Sequence, residues 1–425
     1  MSDDRFKKPT VHSMKRRSTK HDYGRSGYYH ITISVARELR QPFGQMAGRL
    51  DRPEGDSEAP HVELSPIGLM VEEELRGSIQ RVYPMLEVLE YVIMPEHVHF
   101  LLVAHRNIVS QNGRATHLGH VIAGFKFGCN RRYWAMTGRI NLATESPGTR
   151  LTPTVLGDSV AKSAQQPQAK SAQQPQAKPA QQPQVVKEKL PPLFDTGYCD
   201  VMPVDEEQLA TQRAYILGNP RSRLLRMTYR SRLHPQRLCI DTAVSVKALY
   251  GYLQRECPRN LTATGFASIE RRLILQKDRV MCDGYGTTEL LDRKLLPVVC
   301  HRRDASLFTQ QKSICMTEAA SGAVLVSARI SKGEQDIMDS ALLSGYPVIR
   351  IEDNGFPEIY HPSACRMDDC AAGLLLLLTP WHYQFKSQED DITVVECKTM
   401  NCIAQALCKM KDDWWKTQLT AVRGG

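Results

Sequence analysis

Two histidines, His97 and His99, stand one residue apart in the otherwise apolar stretch YVIMPEHVHFLLVAH, residues 91–105. Side chains alternate across a β-strand, so both imidazoles are expected on one face of a sheet. Two neutral imidazoles on one face can hold a divalent metal ion. The spacing alone leaves open the alternative that both are ordinary surface histidines.

A second group of residues lies far along the chain, in the segment YILGNP, residues 215–220. An acidic first turn and an apolar stripe predict a helix over 205–220 that stops at Gly218–Pro220. Tyr215 and Asn219 are four residues apart, so they share one face of that helix.

The two segments, in this order, resemble the single-tyrosine HUH transposases, a group that includes the REP-associated tyrosine transposases. MPEHVH is similar to the family's Met-Pro-Asn-His-Val-His, with Glu96 in place of the asparagine. YILGN is similar to its Tyr-Ile-x-x-Asn. The resemblance covers about residues 25–235, without the Pro/Gln-rich segment 141–190 described below. It implies that Tyr215 is the nucleophile and that His97, His99 and Asn219 are metal ligands.

The activity implied by this resemblance is cleavage and rejoining of single-stranded or hairpin DNA through a 5′-phosphotyrosine. Nitrogen and oxygen ligands with open positions suit Mg²⁺ or Mn²⁺ as the cofactor. The enzyme would be a metal-dependent strand transferase. A homodimer is one open arrangement, with the tyrosine acting in its own subunit or in its partner's.

Other assignments remain open at this point. Tyr133, in NRRYW, is a second candidate nucleophile, and Asp200 could position a metal or simply form a turn. A rolling-circle or relaxase-type nickase is an alternative enzyme. A degenerate HUH domain that serves as a DNA-binding regulator is the alternative outside catalysis.

Hydrophobic periodicity predicts the elements that must carry these residues. The expected order is β-α-β-β-α-β-α, which indicates an α+β domain with a ferredoxin-like antiparallel sheet and helices. Ser65 and Pro66 mark a helix start, because serine caps helices and proline suits their first position. The predicted strands are 28–35, 85–94, 97–104 and one within 193–204, and the predicted helices are 65–82, 117–138 and 205–220.

An eight-residue unit occurs three times in residues 161–184, which read AKSAQQPQAKSAQQPQAKPAQQPQ. It has no large apolar side chain to offset the entropy of ordering. Residues 141–190 are therefore predicted to be a disordered Pro/Gln-rich insertion within an HUH-like domain that spans 27–235. A basic flexible arm is predicted for residues 1–26.

A second domain is predicted over residues 241–425, with a helical lead-in at 241–280. Its runs LLPVVC, AVLVSAR, YPVIRI and GLLLLLTP are apolar at most positions without alternation, which is typical of parallel strands covered on both faces. The segment 322–356 loosely resembles the Rossmann-like fold of the DNA-processing protein A family. The resemblance implies a phosphate, nucleotide or single-stranded DNA site, with a nonbinding turn as the alternative. Its residues would be Ser327, Arg329, Ser331, Lys332 and Gly333.

The charge balance suits an anionic partner. The net charge is +9, and Gln208 to Ile240 contains seven arginines and no acidic residue. We expect DNA contacts from this run, with a solvated helix as the alternative. The expected DNA-binding residues are Arg131, Arg132, Arg213, Arg221, Arg223 and Arg226.

The cysteines and the apolar runs indicate the compartment. The 12 cysteines include no C-x-x-C pair, and those at 397, 402 and 408 fit no zinc spacing. No apolar run is long enough to cross a bilayer. We expect a reduced cytoplasmic, nucleoid-associated protein with no membrane partner.

Overall fold

The computed structural model describes residues 21–140, 190–203, 205–358, 360–384 and 392–423. Most of the predicted basic arm (1–26) and of the predicted insertion (141–190) lies outside these residues.

The chain divides into two compact units. Of the residues that the structure describes, those within 21–47 and 61–219 form the N-terminal unit, and those within 48–60 and 220–423 form the C-terminal unit. The sequence predicts a domain boundary at residues 235–241. Both units combine helices with sheets, which agrees with the predicted α+β class.

The N-terminal unit contains an antiparallel sheet of four strands in the order β4-β5-β1-β6. The strands and helices follow one another as β-α-β-β-α-β, as the sequence predicted, with a separate hairpin of β2 and β3 before the first helix. The elements are β1 (Gly27–Ser34), β2 (Gly44–Ala47), β3 (His61–Leu64), α1 (Pro66–Val82), β4 (Leu86–Met94), β5 (His97–Ala104), α2 (Leu118–Met136), β6 (Cys199–Val201) and α3 (Glu206–Thr228).

The start of α1 follows from its sequence. Ser65 caps the helix by accepting a hydrogen bond from the Gly68 backbone N–H at 3.1 Å, and Pro66 takes the first position. Helices α1 and α2 cover one face of the sheet. Val98 and Phe100 of β5 are fully buried against this layer. The opposite face of β5 is thereby left for other contacts.

Helix α3 does not end at Gly218–Pro220, as the sequence predicted, but continues to Thr228. An interior proline costs a helix about 3 kcal/mol through a lost hydrogen bond and a steric clash. Its fixed φ is nevertheless helical, and the continuation buries Leu225 in the core of the C-terminal unit. Burial of such a side chain stabilises by about 2 kcal/mol, which offsets much of that cost.

The C-terminal unit is built on a seven-stranded sheet whose main path is β10-β11-β12-β13-β9-β7. The four apolar runs pair in parallel, as predicted, and β9 joins them antiparallel. The elements are β7 (Gln236–Ser245), α4 (Val246–Glu256), α5 (Ala263–Arg272), β8 (Leu275–Gln276), β9 (Arg279–Gly286), β10 (Leu295–Pro297), α6 (Phe308–Ala320), β11 (Val324–Ser327), α7 (Lys332–Leu343), β12 (Val348–Ile351), α8 (Ala364–Ala371), β13 (Leu375–Thr379), α9 (Val394–Cys408) and α10 (Trp415–Arg423), with 3-10 helices at Thr288–Asp292 and Arg302–Leu307.

The predicted helical lead-in at 241–280 needs correction. Its first residues belong to β7 and its last to β9, and only the middle forms helices α4 and α5. Strand β7 pairs with β9, a partner distant in sequence, and such pairing is not encoded in local periodicity.

The two glycines of α1 should respond oppositely to alanine. A Cβ at Gly68 would lie 2.1 Å from the Phe43 carbonyl oxygen, whereas one at Gly77 meets nothing within 4 Å. We expect Gly68→Ala to lower the free energy of unfolding by about 3 kcal/mol through overpacking. Gly77→Ala should raise it by about 0.5–1 kcal/mol through helix propensity. Urea titrations of the full chain measure both, and equal effects would contradict the close packing at Gly68.

Candidate active site

The histidine pair lies at the start of β5, directly after the Pro95–Glu96 turn that joins it to β4. His97 is half-buried and His99 is only 4% exposed. Their rings meet edge to face with centroids 4.6 Å apart. Both project from the face opposite Val98 and Phe100, as strand alternation requires.

A third histidine, His30 of β1, joins this pair. Strand β1 pairs with β5 so that Thr32 lies opposite His99 and His30 opposite Leu101. His30 Nε2 lies 3.2 Å from His99 Nδ1, and Thr32 Oγ1 lies 2.9 Å from the same nitrogen. His30 was not among the site residues predicted from the sequence. Strand alternation places His30 and Thr32 on one face of β1. Only the pairing of β1 with β5, however, brings His30 close to His99.

Helix α3 packs on this histidine face of the sheet. Leu209 and Ile216 are buried against Leu101 of β5. Arg213, between them on the same stripe of the helix, forms an ion pair with Glu90 of β4. Residues at i, i+4 and i+7 share one face of a helix, so these contacts fix which residues of α3 face the histidines.

This packing brings Tyr215 to the histidines. Its ring centroid lies 5.4 Å from that of His99 and 5.8 Å from that of His30. Tyr215 is 46% exposed, so its ring is also open to solvent. Asn219 follows one turn later, and its Nδ2 donates to the Tyr215 carbonyl oxygen at 2.7 Å. The amide oxygen Oδ1 is then the atom of Asn219 suited to a metal.

Burial keeps His99 and His30 neutral at pH 7. Burial, together with the neighbouring His97 and His30, lowers the pKa of His99 to about 3. Burial also lowers the pKa of His30, against the effect of its hydrogen bond to Gln212. A neutral imidazole keeps one nitrogen lone pair, which is the form that binds metals.

The side chains at this site fit a divalent metal ion only if the amide of Asn219 is one of the ligands. Within the described parts of the chain, no three His, Cys, Asp or Glu side chains are grouped so that they could hold a metal ion. His97 and His99 offer two imidazole nitrogens, and the third donor expected from the sequence, Asn219 Oδ1, belongs to the residue one turn beyond Tyr215 on α3. Two imidazoles and an amide oxygen leave positions open for water and phosphate oxygens.

Arg131, Arg132 and Tyr133 lie on α2, which covers the opposite face of the sheet from the histidine pair. Arg132 pairs with Glu73 and Glu74 of α1. Tyr133 is only 6% exposed and belongs to the core of the unit. The sheet therefore separates these three residues from Tyr215.

The arginines of α3 make contacts inside the protein. Arg213 pairs with Glu90, Arg221 pairs with Asp368, and Arg226 donates to His361 Nδ1; Arg223 lies between the last two. Exposed pairs of this kind contribute about 0–1 kcal/mol, so phosphates could replace them. The arginine run therefore has structural partners, which the sequence analysis did not foresee.

The turn predicted to hold a phosphate in the C-terminal unit is filled by a carboxylate of the chain itself. Glu334, 2% exposed, accepts hydrogen bonds through Oε2 from the backbone N–H groups of Ile330 and Ser331, at 2.7 and 3.4 Å. Its Oε1 accepts from the Cys300 N–H at 3.1 Å. Ser331 caps α7 by accepting from the Glu334 N–H. The prediction of an anion site built from Ser327, Arg329, Ser331, Lys332 and Gly333 thus loses the backbone donors on which it rested.

Two other residues predicted to bind a phosphate at that turn, Arg329 and Gly333, also make contacts within the protein. Arg329 pairs with Asp339 of α7. A Cβ at Gly333 would lie 3.2 Å from Cys300 Cβ and 2.9 Å from the Phe308 ring, so close packing accounts for this glycine. These contacts favour the alternative of a nonbinding turn.

Comparison with known proteins identifies no family for the chain. No protein-family model matches it, and no curated protein matches it. Among solved structures, it matches DNA processing protein A from Helicobacter pylori, described for its single-stranded DNA binding mode, at 20% identity and a TM-score of 0.23. The match covers 31% of this chain and 59% of that one, less than two thirds of its length. A TM-score this low establishes neither a shared fold nor a shared function.

The described residues contain no helix that is both long and apolar enough to cross a membrane.

Removal of the Glu334 carboxylate should destabilise the C-terminal unit. Glu334→Ala leaves buried backbone donors without their acceptor, so we expect the free energy of unfolding to fall by about 3 kcal/mol. Glu270→Ala, at an exposed position of α5, should change it by less than about 0.5 kcal/mol. Urea titration checks both. A Glu334→Ala variant as stable as the wild type would show that the carboxylate does not hold the turn.

Proposed function

We propose that the N-terminal unit is a metal-dependent strand transferase for single-stranded DNA, with Tyr215 as its nucleophile. The observation that supports this proposal is the meeting of the Tyr215 ring with His99 at 5.4 Å between centroids. The two residues come from distant parts of the sequence. A phenol beside His99, whose ring in turn contacts His97 on the same sheet face, is the arrangement that the resemblance to HUH transposases calls for.

The proposed reaction is a transesterification. Tyr215 Oη attacks a backbone phosphorus, and the bond from phosphorus to the 3′-oxygen breaks. The 3′-oxygen gains a proton and leaves as a hydroxyl, while the 5′-phosphate stays on the tyrosine. Attack by a 3′-hydroxyl on this phosphotyrosine reverses the reaction and rejoins DNA without ATP.

His97, His99 and Asn219 would hold Mg²⁺ or Mn²⁺ in this proposal. When bound, the ion would polarise the scissile phosphate and favour ionisation of the attacking phenol. The neutral state of His99 supports the assignment, because a protonated imidazole cannot ligate. The 46% exposure of Tyr215 leaves room for a DNA strand beside the ring.

The strand order and the β-α-β-β-α-β succession support the reading of the sheet as ferredoxin-like. In the C-terminal unit, a sheet with four parallel strands and covering helices supports the coarser reading of an α/β domain. We assign it no catalytic role.

The chemistry can be tested by covalent capture. The full chain is incubated with Mn²⁺ and a pool of random-sequence single strands that carry a hairpin and a 3′-end label, since the 5′-phosphotyrosine retains the 3′ fragment. We expect a labelled, denaturation-resistant adduct in the wild type and none in Tyr215→Phe. Tyr133→Phe is the matched control and should retain the adduct. An adduct in Tyr215→Phe, or none in the wild type, would contradict the proposal and leave the DNA-binding regulator as the better reading.

Metal binding can be measured apart from activity. Mn²⁺ titration followed by electron paramagnetic resonance should show binding by the wild type and an affinity about tenfold lower or worse in His99→Ala. His105→Ala is the control, because His105 is exposed and bonds Glu87 at the other end of β5. Equal affinities in all three proteins would remove His99 from the ligand set.

A further inference from the structure

Three side chains from different elements form a continuous hydrogen-bonded chain behind the histidine pair. Gln212 Oε1 of α3 lies 2.6 Å from His30 Nδ1 of β1. His30 Nε2 then lies 3.2 Å from His99 Nδ1 of β5. His30 and His99 are each 4% exposed, so solvent cannot substitute readily for either contact.

The donor and acceptor roles along these hydrogen bonds are set at Gln212. A carboxamide oxygen only accepts hydrogen bonds, so His30 Nδ1 must carry the proton and donate it. In a neutral imidazole the other nitrogen is then an acceptor, which makes His30 Nε2 the acceptor and His99 Nδ1 the donor. His99 Nε2 is left with its lone pair.

Thr32 cannot set this direction, although its Oγ1 is closer to His99 Nδ1, at 2.9 Å. A hydroxyl can either donate or accept, so it adapts to whichever nitrogen is protonated. A free neutral histidine prefers its proton on Nε2, the form in which Nε2 cannot bind a metal. Metal binding through His99 Nε2 therefore requires the less favoured tautomer, with the proton on Nδ1, and the contacts of Gln212 and His30 favour that tautomer.

We propose that Gln212 and His30 are positioning residues that fix the tautomer of His99 so that Nε2 is its metal-binding atom. The metal role in this inference rests on the proposed function. Gln212 also lies one turn before Tyr215 on α3. The ligand is therefore prepared only while the helix that carries the nucleophile is docked on the sheet, and undocking of α3 would release both residues from the site together.

The test uses the metal-free full chain with ¹⁵N-labelled histidine. Long-range imidazole ¹H–¹⁵N correlation spectra report which nitrogen of each ring is protonated, and the His99 signals are assigned by their loss in His99→Ala. We expect the wild type to have its proton on Nδ1. In Gln212→Met, a straight side chain without the acceptor, the His99 proton should shift toward Nε2.

Two control variants separate this role from general loosening of the helix. Gln208→Met makes the same change one turn earlier on α3, where the amide bonds Asp205, and should leave the tautomer unchanged. Thr32→Val removes the closer contact and should leave it unchanged as well. A proton that stays on Nδ1 in Gln212→Met, or that lies on Nε2 in the wild type, overturns the proposal.

Mn²⁺ affinity gives the second readout. We expect Gln212→Met to bind Mn²⁺ about 10–100-fold more weakly than the wild type, as for other groups that orient metal-binding histidines. An unchanged tautomer in Gln212→Met together with normal adduct formation overturns this inference alone. A shifted tautomer with no Mn²⁺ binding by the wild type supports the hydrogen-bonded chain and overturns the proposed function.

Discussion

The packing of α3 on the histidine face of the sheet is the contact on which the candidate site depends. The other face is occupied by α1 and α2, so α3 alone among these three helices faces the imidazoles. The apolar part of the contact is small, with Leu209 and Ile216 buried against Leu101. At about 2 kcal/mol for each buried side chain, it is a weaker attachment than the core on the opposite face. The polar contacts of Arg213 and Gln212 therefore matter for keeping the helix in place.

Burial accounts for the state of the histidines. An exposed pair would be partly protonated near pH 6.5 and would repel a cation. At 4% exposure His99 loses most of its hydration, and its protonated form is disfavoured. The same burial requires that His99 Nδ1 find a partner inside the protein, and both Thr32 and His30 lie within hydrogen-bond distance of it. Neutrality, orientation and hydrogen bonding thus have one cause, the covered position of this strand.

Charged residues outside the candidate active site make contacts within the protein, although their sequence pattern predicted DNA and phosphate sites. The run of arginines after Tyr215 contacts carboxylates, a histidine and carbonyl oxygens within the protein. The turn after β11 reads like a phosphate site, yet the buried Glu334 carboxylate occupies its amides. The fold holds the Glu334 carboxylate next to these N–H donors, so it binds them without the entropic cost of capturing a free anion. It therefore excludes an anionic ligand of modest affinity.

The sequence by itself determined the elements with strong local signals. The Ser65–Pro66 helix start, the two strands flanking Pro95–Glu96 and the four apolar parallel strands all appear as predicted. Strand alternation was also sufficient to predict that His97 and His99 share one face of the sheet. These features depend on helix capping, on the geometry of the proline ring and on side-chain periodicity, all of which act within a few residues.

Tertiary structure decided everything that depends on which segments meet. The continuation of α3 past Pro220 depends on the burial of Leu225, and the place of β7 depends on its pairing with β9. His30 became part of the site because β1 pairs with β5, and Gln212 because α3 lies across both. No local pattern encodes such contacts, since their free energy comes from surfaces that are brought together only when the whole chain folds.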